Sequence, residues 1–195
     1  MSVDLGPKAA LIVVDVQNDF ADPRGSLYVS DGEAVIPVIN HQVNAARTAG
    51  AFVVYTQDWH PASTPHFQKD GGIWPVHCVK ETWGAELHPD LEVVGESLKK
   101  GTDGEDGYSA FSLRDPSSGE TTPTRLEAML RERDVRVVTV CGLATDYCVV
   151  ETVLDARRLD FSTDVLSEAI RAVDLHAGDG DRALERMREA GAVVS

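Results

Sequence analysis

The sequence predicts an α/β protein of three layers, in which a mainly parallel sheet is covered by helices on both faces. Apolar runs alternate with stretches of helical periodicity through most of the chain, and the runs themselves are continuously apolar. Continuous runs are typical of strands buried on both faces of a parallel sheet, and the strand–helix alternation is typical of this fold class. With 195 residues and no internal repeat or linker, the chain is expected to form a single domain over residues 1–195.

The first half of the chain supplies two strands and a helix. Residues 9–15 and 51–57 are apolar runs, which predicts two buried strands. Residues 33–49 place their apolar side chains on one face with helical spacing, and Gly50 directly after them is typical of a helix end. A strand, a covering helix and a second strand are therefore predicted in this order.

The second half of the chain continues the alternation. A helix is predicted from Pro123 to about Arg133, because proline is favoured at the first helical position and an apolar stripe follows it. Apolar runs and helical stripes predict the other elements: strands at 92–98, 135–141, 162–166 and 192–194, and helices at 145–159 and 181–190.

Two long irregular stretches, at residues 60–90 and 99–122, interrupt this pattern, and loops of such length in a compact domain are usually functional. In open parallel sheets, ligands bind beyond the carboxyl ends of the strands. Asp15, Asp58 and the loop at Gly142 all follow predicted strands at such ends. The functional site is therefore expected at this edge of the sheet.

Four residues of metal-ligating type surround the end of the second strand. Asp58 and His60 are two positions apart, so that in a strand their side chains share one face. His66 and His77 return from the irregular stretch that follows. One carboxylate and three imidazoles suit one divalent metal ion; ligand softness alone does not choose among zinc, iron and manganese, and zinc is taken as the expected ion. The competing interpretation is a surface loop with scattered histidines.

Cys148 follows a predicted strand and a tight turn, at the start of the helix predicted at 145–159. With Thr145 as the capping residue, free backbone N–H groups and the helix dipole would favour the thiolate and could hold an oxyanion. A buried structural cysteine is the alternative. Cys141 lies inside a predicted strand and is assigned to the core, and Cys78 is given no role.

A cysteine nucleophile needs a base and a group that orients it. Asp15 is the candidate base, because a carboxylate beyond a buried strand can have a raised pKa and accept a thiol proton. A cation that completes the group is offered by Lys99 and Lys100, directly before Gly101. Taken alone, Asp15 could equally be a helix cap or a turn residue.

Composition limits the function classes. The net charge of −14, without a basic stripe, argues against binding to nucleic acid or to anionic membranes and weakly favours a neutral substrate. Apolar runs stay short of the roughly 20 residues of a membrane span, and the first residues lack a signal-peptide pattern, so a cytoplasmic location is expected. Three cysteines without a tight pattern argue against a disulfide framework. A homo-oligomer is compatible with the sequence but is not specified by it.

These residues resemble the nicotinamidase branch of the isochorismatase-like cysteine hydrolases, in order and over nearly the whole chain. The stretch 10–20 is similar to the family's opening strand, whose catalytic aspartate corresponds to Asp15. The stretch 142–149 is similar to its nucleophile turn, with Cys148 as the nucleophile. The lysine that directly precedes a glycine in its catalytic lysine segment corresponds to Lys100.

The same resemblance assigns further site residues. It matches four residues to the metal set, which several other branches of the family lack: Asp58, His60, His66 and His77. It implies a cis peptide bond between Leu143 and Ala144, and an oxyanion hole formed by the N–H groups of Ala144 and Cys148. Three aromatic residues are similar to positions that pack on the pyridine ring of the substrate: Phe20, Trp74 and Tyr108. Tyr147 stands where some nicotinamidases carry histidine.

The resemblance implies hydrolysis of nicotinamide, a small neutral aromatic amide, to nicotinate and ammonia through a cysteine thioester, in NAD salvage. Asp15 would accept the proton of the Cys148 thiol, and Lys100 would hold Asp15 and favour the thiolate. The metal would anchor the ring nitrogen of the substrate.

Three alternatives stay open at this point. A metal hydrolase would use metal-bound hydroxide as the nucleophile, with Cys148 incidental. Another amidase or an isochorismatase would use the same scaffold on a different substrate, although the acidic composition and the metal set argue against an isochorismatase. A non-catalytic metal-binding or interaction module is the third, and the joint presence of Asp15, Lys100 and Cys148 weakens it.

Overall fold

A wholly parallel sheet of six strands forms the centre of the molecule in the computed structural model, which describes residues 5–195. In these residues the chain forms β1 (Ala9–Val14), β2 (Phe52–Asp58), β3 (Glu96–Lys100), β4 (Ser112–Arg114), β5 (Thr121–Pro123), β6 (Val137–Leu143), β7 (Ser162–Arg171) and β8 (Val193–Val194). The sheet order is β3-β2-β1-β6-β7-β8, and β4 and β5 form a separate antiparallel pair.

Helices cover both faces of this sheet: α1 (Asn18–Ala21), α2 (Val35–Ala49), α3 (Leu126–Glu132), α4 (Val150–Arg158) and α5 (Asp179–Glu189). Ile12 and Val14 of β1 pack in the core shared with α3, α4 and α5, whereas Leu11 and Val13 pack in the core shared with α2. Burial on both faces explains the continuous apolar run of β1, and the predicted three-layer α/β architecture is confirmed. Among the described residues, none of the helices combines the length and apolarity that a membrane span requires.

The direction of strand addition reverses between β1 and β6. The chain first adds β2 and β3 on one side of β1 and later adds β6, β7 and β8 on the other. In open α/β sheets, the crevice at such a switch point is where ligands bind. Asp15 follows β1 directly, and a single turn at Thr145–Val149, which contains Cys148, follows β6. The topology therefore brings two residues that are distant in sequence to one crevice.

β6 approaches β1 closely at Gly142, just before this crevice. Gly142 pairs with Val14 in the sheet and has a φ of +112°. A Cβ atom at this position would overlap the carbonyl oxygen of Val14. Only glycine fits here, because it tolerates both the positive φ and the close backbone approach.

Lys100 lies inside a strand, which corrects the strand predicted at 92–98. β3 pairs with β2 in a register that places Lys100 opposite Asp58. Leu98 and Lys100 are the buried positions of β3, and residues 92–96 are exposed. The prediction was wrong because a buried charge interrupts the apolar pattern from which strands are predicted.

The starts of two helices also differ from the predictions. The helix predicted from Pro123 begins at Leu126, because the preceding residues pair with β4 as strand β5. The Leu126 N–H donates to the hydroxyl of Thr124 at 3.2 Å, which stabilises the true helix start. The helix predicted at 145–159 begins as one π-type turn, Thr145–Val149, and continues as α4.

Candidate active site and metal centre

Lys100 lies between two carboxylates at the carboxyl end of the sheet. Its ammonium group is 2.7 Å from Oδ2 of Asp15 and 3.1 Å from Oδ1 of Asp58, and it donates to the carbonyl oxygen of Gly107. Burial alone lowers the pKa of Lys100, but the two carboxylates outweigh this effect and hold the pKa well above its usual value. Lys100 is therefore a buried cation throughout the physiological pH range.

Asp15 accepts two hydrogen bonds in a fully buried position. The Thr56 hydroxyl donates to Oδ1 at 2.6 Å, and Lys100 donates to Oδ2 at 2.7 Å. Burial raises the pKa of Asp15, Lys100 lowers it, Asp58 raises it again, and the resulting pKa is about 6. A carboxyl group with this pKa is ionised at neutral pH and is still basic enough to accept a proton.

Cys148 lies beside these carboxylates. Its Sγ atom and carboxylate oxygens of Asp15 and Asp58 all lie within 4.8 Å of one another. Burial raises the pKa of the Cys148 thiol well above its usual value, and Lys100 offsets only part of the rise. Burial therefore opposes the thiolate that the helix start was expected to favour. A neutral thiol of this kind needs a neighbouring base before it can attack a carbon atom.

The other two cysteines belong to the core. Cys141 is fully buried in β6, as predicted, and burial raises the pKa of its thiol. Cys78 is also fully buried, where its N–H donates to Oδ2 of Asp19 at 2.7 Å and its Sγ lies 3.8 Å from the carbonyl oxygen of Gly84. Both pack in the core shared with α2, whereas Cys148 packs in the core on the other face of the sheet.

The peptide bond between Leu143 and Ala144 is cis, as the family resemblance implies. Ala144 directly precedes the π-type turn, and its carbonyl oxygen accepts from the N–H groups of Tyr147 and Val149 at 3.1 Å each. Ala144 and Cys148 line the same pocket. The two residues of the predicted oxyanion hole therefore lie on one wall together with the thiol.

Three histidines converge on the other side of Asp58. Ligand-type nitrogen atoms of His60, His66 and His77 all lie within 4.8 Å of one another. Oδ2 of Asp58 lies 3.8 Å from Nε2 of His60 and 4.0 Å from Nε2 of His77. Asp58 itself is fixed by Gln17, whose side-chain amide bonds to both its N–H and its carbonyl group. The four residues predicted as a metal set are thus brought together.

Neighbouring groups fix the orientation of two of these imidazoles. Nδ1 of His66 lies 2.7 Å from a carboxylate oxygen of Asp106, and Nδ1 of His77 lies 2.8 Å from the carbonyl oxygen of Pro75. Nδ1 is the donor in both contacts, which leaves Nε2 of each ring as a free acceptor for a metal. Burial lowers the pKa of His77 to about 4, which keeps this ring in the neutral, ligating form.

The donor set fits a divalent metal. His60 is fully buried, and neither of its ring nitrogens has a hydrogen-bond partner among residues 5–195. A buried imidazole without a partner is costly unless a further group satisfies it. Burial raises the pKa of Asp58, yet Lys100 and the neighbouring histidines hold the pKa well below its usual value, so Asp58 is ionised. One carboxylate with three imidazoles matches the ligands of zinc, iron or manganese.

A small pocket, with about 30 Å³ of space for the centres of water-sized spheres, connects the thiol to the histidines. Eight residues predicted as site residues from the sequence line it directly: Phe20, Asp58, His66, Trp74, His77, Tyr108, Ala144 and Cys148. Four lining residues were not predicted as part of the site: Leu27, Val29, Tyr147 and Val173.

Aromatic side chains form one wall of this pocket. The Trp74 Nε1–H donates to the hydroxyl of Tyr108 at 2.8 Å, and the Trp74 ring meets the Tyr147 ring edge-on with centroids 4.7 Å apart. On another side, the Phe20 ring centroid lies 5.4 Å from that of His77. The pocket is therefore suited to a flat ring with a polar atom directed toward the histidines.

Thr56 is expected to influence the pH dependence of catalysis through the pKa of Asp15. If ionised Asp15 is the base, kcat/KM rises with pH through about 6, the pKa of Asp15. The Thr56→Val variant removes a hydrogen bond that stabilises the ionised form, so the pKa of Asp15 rises further and the acid limb moves to higher pH by roughly 0.5–1 pH unit. The measurement is the pH profile of kcat/KM for both proteins.

Thr139→Val is the matched control for this prediction. Thr139 is also a buried strand threonine, but its hydroxyl has no hydrogen-bond partner among the described residues. Its substitution is expected to leave the acid limb in place. An unchanged limb in Thr56→Val, or an equal movement in the two variants, would contradict the assignment of the limb to Asp15.

The fold and the site together define a class of protein. A cysteine, an aspartate and a lysine meet beside a cluster of histidines at the switch point of a three-layer α/β fold. The chain belongs to the isochorismatase family, since an isochorismatase domain matches residues 9–195.

Within this family, the chain is similar to nicotinamidases. It is 35% identical to the nicotinamidase of Escherichia coli K12, with 96% of this chain and 94% of that protein covered. The structure of pyrazinamidase from Pyrococcus horikoshii in complex with zinc is 37% identical and superposes with a TM-score of 0.84, covering 97% of this chain and 99% of that one. The structure of PnC1 from L. infantum in complex with nicotinate is 35% identical with a TM-score of 0.88, covering 100% and 96%.

Proposed function

We propose that this protein is a nicotinamidase, which hydrolyses nicotinamide to nicotinate and ammonia. The observation that carries the proposal is the placement of Cys148, Asp15 and Lys100 at one end of an aromatic pocket whose other end holds the histidine cluster. A carboxamide on a pyridine ring matches both ends, because its carbonyl carbon can meet the thiol while its ring nitrogen faces the histidines. The similarity to nicotinamidases over nearly the whole chain supports the same substrate.

In the first half of the reaction, ionised Asp15 accepts the proton of the Cys148 thiol. The thiolate attacks the carboxamide carbon, and the N–H groups of Ala144 and Cys148 stabilise the oxyanion of the tetrahedral intermediate. Asp15 then returns this proton to the leaving nitrogen, ammonia departs, and a thioester remains on Cys148. Lys100 keeps Asp15 ionised before the reaction and favours the thiolate electrostatically.

In the second half of the reaction, Asp15 accepts a proton from water as the water oxygen attacks the thioester carbon. The same N–H groups stabilise the second oxyanion. The intermediate collapses, Cys148 leaves as thiolate and takes the proton from Asp15, and the product leaves as nicotinic acid, whose carboxyl proton passes to water or to the released ammonia to give nicotinate. One carboxylate thus serves as base and acid in both halves, which requires a pKa close to the working pH. Nicotinate made in this way would enter NAD salvage, in the cytoplasm if the location expected from the sequence is right.

The histidine cluster is proposed to hold one divalent metal ion through Asp58, His60, His66 and His77, with zinc favoured and iron or manganese as alternatives. When bound, the metal supplies a Lewis acid that anchors the ring nitrogen of the substrate. The zinc in the pyrazinamidase of P. horikoshii supports this assignment. The chain itself contributes orientation. Trp74 and Phe20 line the pocket and would hold the pyridine ring of the substrate so that its carboxamide faces the thiol.

His60→Ala is expected to lose the metal. His60 is the fully buried imidazole without a hydrogen-bond partner among the described residues, so its removal deletes a ligand without breaking a side-chain hydrogen bond. Metal content, measured by elemental analysis of the purified protein, should fall from about one ion per chain to well below one. His41→Ala, at an exposed position of α2, is the control and should retain its metal. Equal metal content in the two variants would refute His60 as a ligand.

The test of the function is ammonia release from nicotinamide by the purified protein, before and after treatment with a thiol alkylator. Release that the alkylator abolishes supports a cysteine-dependent nicotinamidase. Release that persists after complete alkylation of Cys148 favours a metal-bound hydroxide as the nucleophile. A folded, metal-loaded protein that releases no ammonia from nicotinamide contradicts the proposed substrate, and a panel of other aromatic amides, pyrazinamide first, then identifies the class.

A further inference from the structure

Residues 106–108 contact the histidine cluster, the Lys100 ammonium group and the pocket. Asp106 contacts the imidazole of His66, the carbonyl oxygen of Gly107 accepts a hydrogen bond from Lys100, and the ring of Tyr108 lines the pocket. Of these three consecutive residues, Asp106 is the one that neither the reaction described above nor the metal set uses. Its contact with a ligand-type histidine suits it to orient that histidine.

The contact between Asp106 and His66 is close and shielded from solvent. Oδ1 of Asp106 lies 2.7 Å from Nδ1 of His66, and the two side chains are 13% and 4% exposed. A carboxylate at this position accepts a hydrogen bond from Nδ1–H and so fixes the tautomer in which Nε2 is unprotonated. The His66 ring then stacks against His60, with ring centroids 4.7 Å apart, as part of the cluster.

Asp106 is fixed independently of His66. Its N–H donates to the carbonyl oxygen of Arg114 at 2.8 Å, and its own carbonyl oxygen accepts from the N–H of Arg114 at 3.0 Å. This pair of bonds anchors Asp106 to strand β4. The same loop is tied to the segment before His66, because the Thr64 hydroxyl donates to the carbonyl oxygen of Gly104 at 2.9 Å. Asp106 is therefore a rigid acceptor toward which the His66 ring turns.

We propose that Asp106 is a positioning residue of the metal centre, which holds His66 in the tautomer and orientation that offer Nε2 to the ion. This inference rests on the metal site proposed above. A carboxylate behind a metal-bound imidazole also raises the basicity of the ligating nitrogen, and loss of such partners typically weakens metal binding 10–100-fold. The β4–β5 hairpin thereby contributes to metal affinity although none of its residues reaches the ion cluster.

The test is zinc affinity, measured by competition with a chromophoric chelator at fixed pH. Asp106→Ala is expected to bind zinc roughly 10–100-fold more weakly than the unmodified protein. Asp106→Asn keeps an acceptor for Nδ1–H but loses the charge, so its affinity should lie between the two. Asp103→Ala is the matched control, because Asp103 is an exposed acid of the same loop and its removal changes the net charge equally. Its zinc affinity should stay within about twofold of the unmodified protein.

A second readout separates positioning from a general structural role. With cobalt in place of zinc, the ligand-field absorption bands report the geometry around the ion. These bands should change in Asp106→Ala and partly recover in Asp106→Asn, while thermal unfolding of the metal-free proteins changes little. If Asp106→Ala fails to fold, Asp106→Asn against Asp103→Ala decides the question.

The outcomes distinguish this inference from the proposed function, because no arm uses nicotinamide. Zinc binding that is equally tight in Asp106→Ala and the unmodified protein overturns the role of Asp106 and leaves the nicotinamidase proposal standing. Tight zinc binding that depends on Asp106, in a protein without activity on nicotinamide, supports the inference and refutes only the substrate. An unmodified protein that binds no zinc or cobalt overturns the inference together with the metal site.

Discussion

Replacing Cys148 by alanine is expected to lower kcat for nicotinamide hydrolysis by about 10⁴–10⁶-fold, as loss of the nucleophile does in other covalent hydrolases. The substitution removes the Sγ atom that lies within 4.8 Å of the carboxylate oxygens of Asp15 and Asp58. It leaves Lys100 paired with both carboxylates, so the fold and the metal cluster should persist. The measurement is single-turnover ammonia release, together with thermal unfolding and metal content of the variant.

Cys141→Ala is the matched control for this prediction. Cys141 is a second buried cysteine of the same strand–turn unit, but its side chain packs in the core shared with α2 and touches the carbonyl oxygen of Ile12 at 3.7 Å. Its substitution is expected to cost some stability and to leave kcat within a few-fold of the unmodified value. The scheme with a cysteine nucleophile is refuted if Cys148→Ala keeps most of the activity while remaining folded and metal-loaded.

Chemical labelling provides a further check on the same residue. Cys78 and Cys141 are fully buried, whereas Cys148 is 6% exposed and lines the pocket. A small alkylator should therefore modify Cys148 first, in spite of its raised thiol pKa, because the pocket gives access to Sγ. Peptide mapping at the point of complete inactivation should find the label on Cys148. A label on Cys78 or Cys141 instead would mean that another thiol causes the inactivation.

The positions of Asp15 and Asp58 could be predicted because strand periodicity locates them. Each follows an apolar run, and the carboxyl ends of parallel strands share one edge of the sheet, so their proximity follows from the fold class. The histidine cluster was predicted for a similar reason, since Asp58 and His60 were expected to share one strand face; in the structure β2 ends at Asp58, and His60 forms an isolated bridge with Val79 beyond it. The family resemblance selected Lys100 over Lys99, and the structure places Lys100 between the two carboxylates.

Other parts of the site carry no periodic signal. Thr56 and Asp106 act through single hydrogen bonds to residues about 40 positions away in sequence, and hydropathy does not register such pairs. Tyr147 was noted from the sequence only as standing where some nicotinamidases carry histidine, yet its ring lines the pocket and meets Trp74 edge-on. The raised thiol pKa of Cys148 was missed because it depends on how deeply the turn is buried. Oligomeric state and cytoplasmic location stay predictions from the sequence.

Lys100→Met is expected to damage both activity and stability. It removes the cation between Asp15 and Asp58 but keeps a similar side-chain volume, so two fully or nearly buried carboxylates lose their shared partner. Breaking a buried ion pair in this way typically costs about 3–5 kcal/mol in the free energy of unfolding. The pKa of Asp15, which Lys100 lowers at present, should rise, so that less of the base is ionised at neutral pH. A further loss of about 10²–10⁴-fold in kcat/KM is expected at pH 7.

The pH dependence of this loss distinguishes an electrostatic role from a packing role. A raised pKa in the folded state means that folded Lys100→Met protein binds more protons than unfolded protein, so its stability should recover as the pH falls from 7 toward 5. Its kcat/KM should move in the opposite direction, with the acid limb displaced above its position in the unmodified protein.

Lys99→Met is the control for both readouts. Lys99 is the exposed neighbour in the same strand, with its ammonium group 3.4 Å from the centre of the Trp59 ring, a contact worth about 0.5–1 kcal/mol. Its substitution should leave the pH profile unchanged. A Lys100→Met protein whose stability deficit is the same at pH 5 and pH 7 would mean that Lys100 acts by filling space rather than by its charge. In that case, groups other than Lys100 would have to keep Asp15 ionised during catalysis.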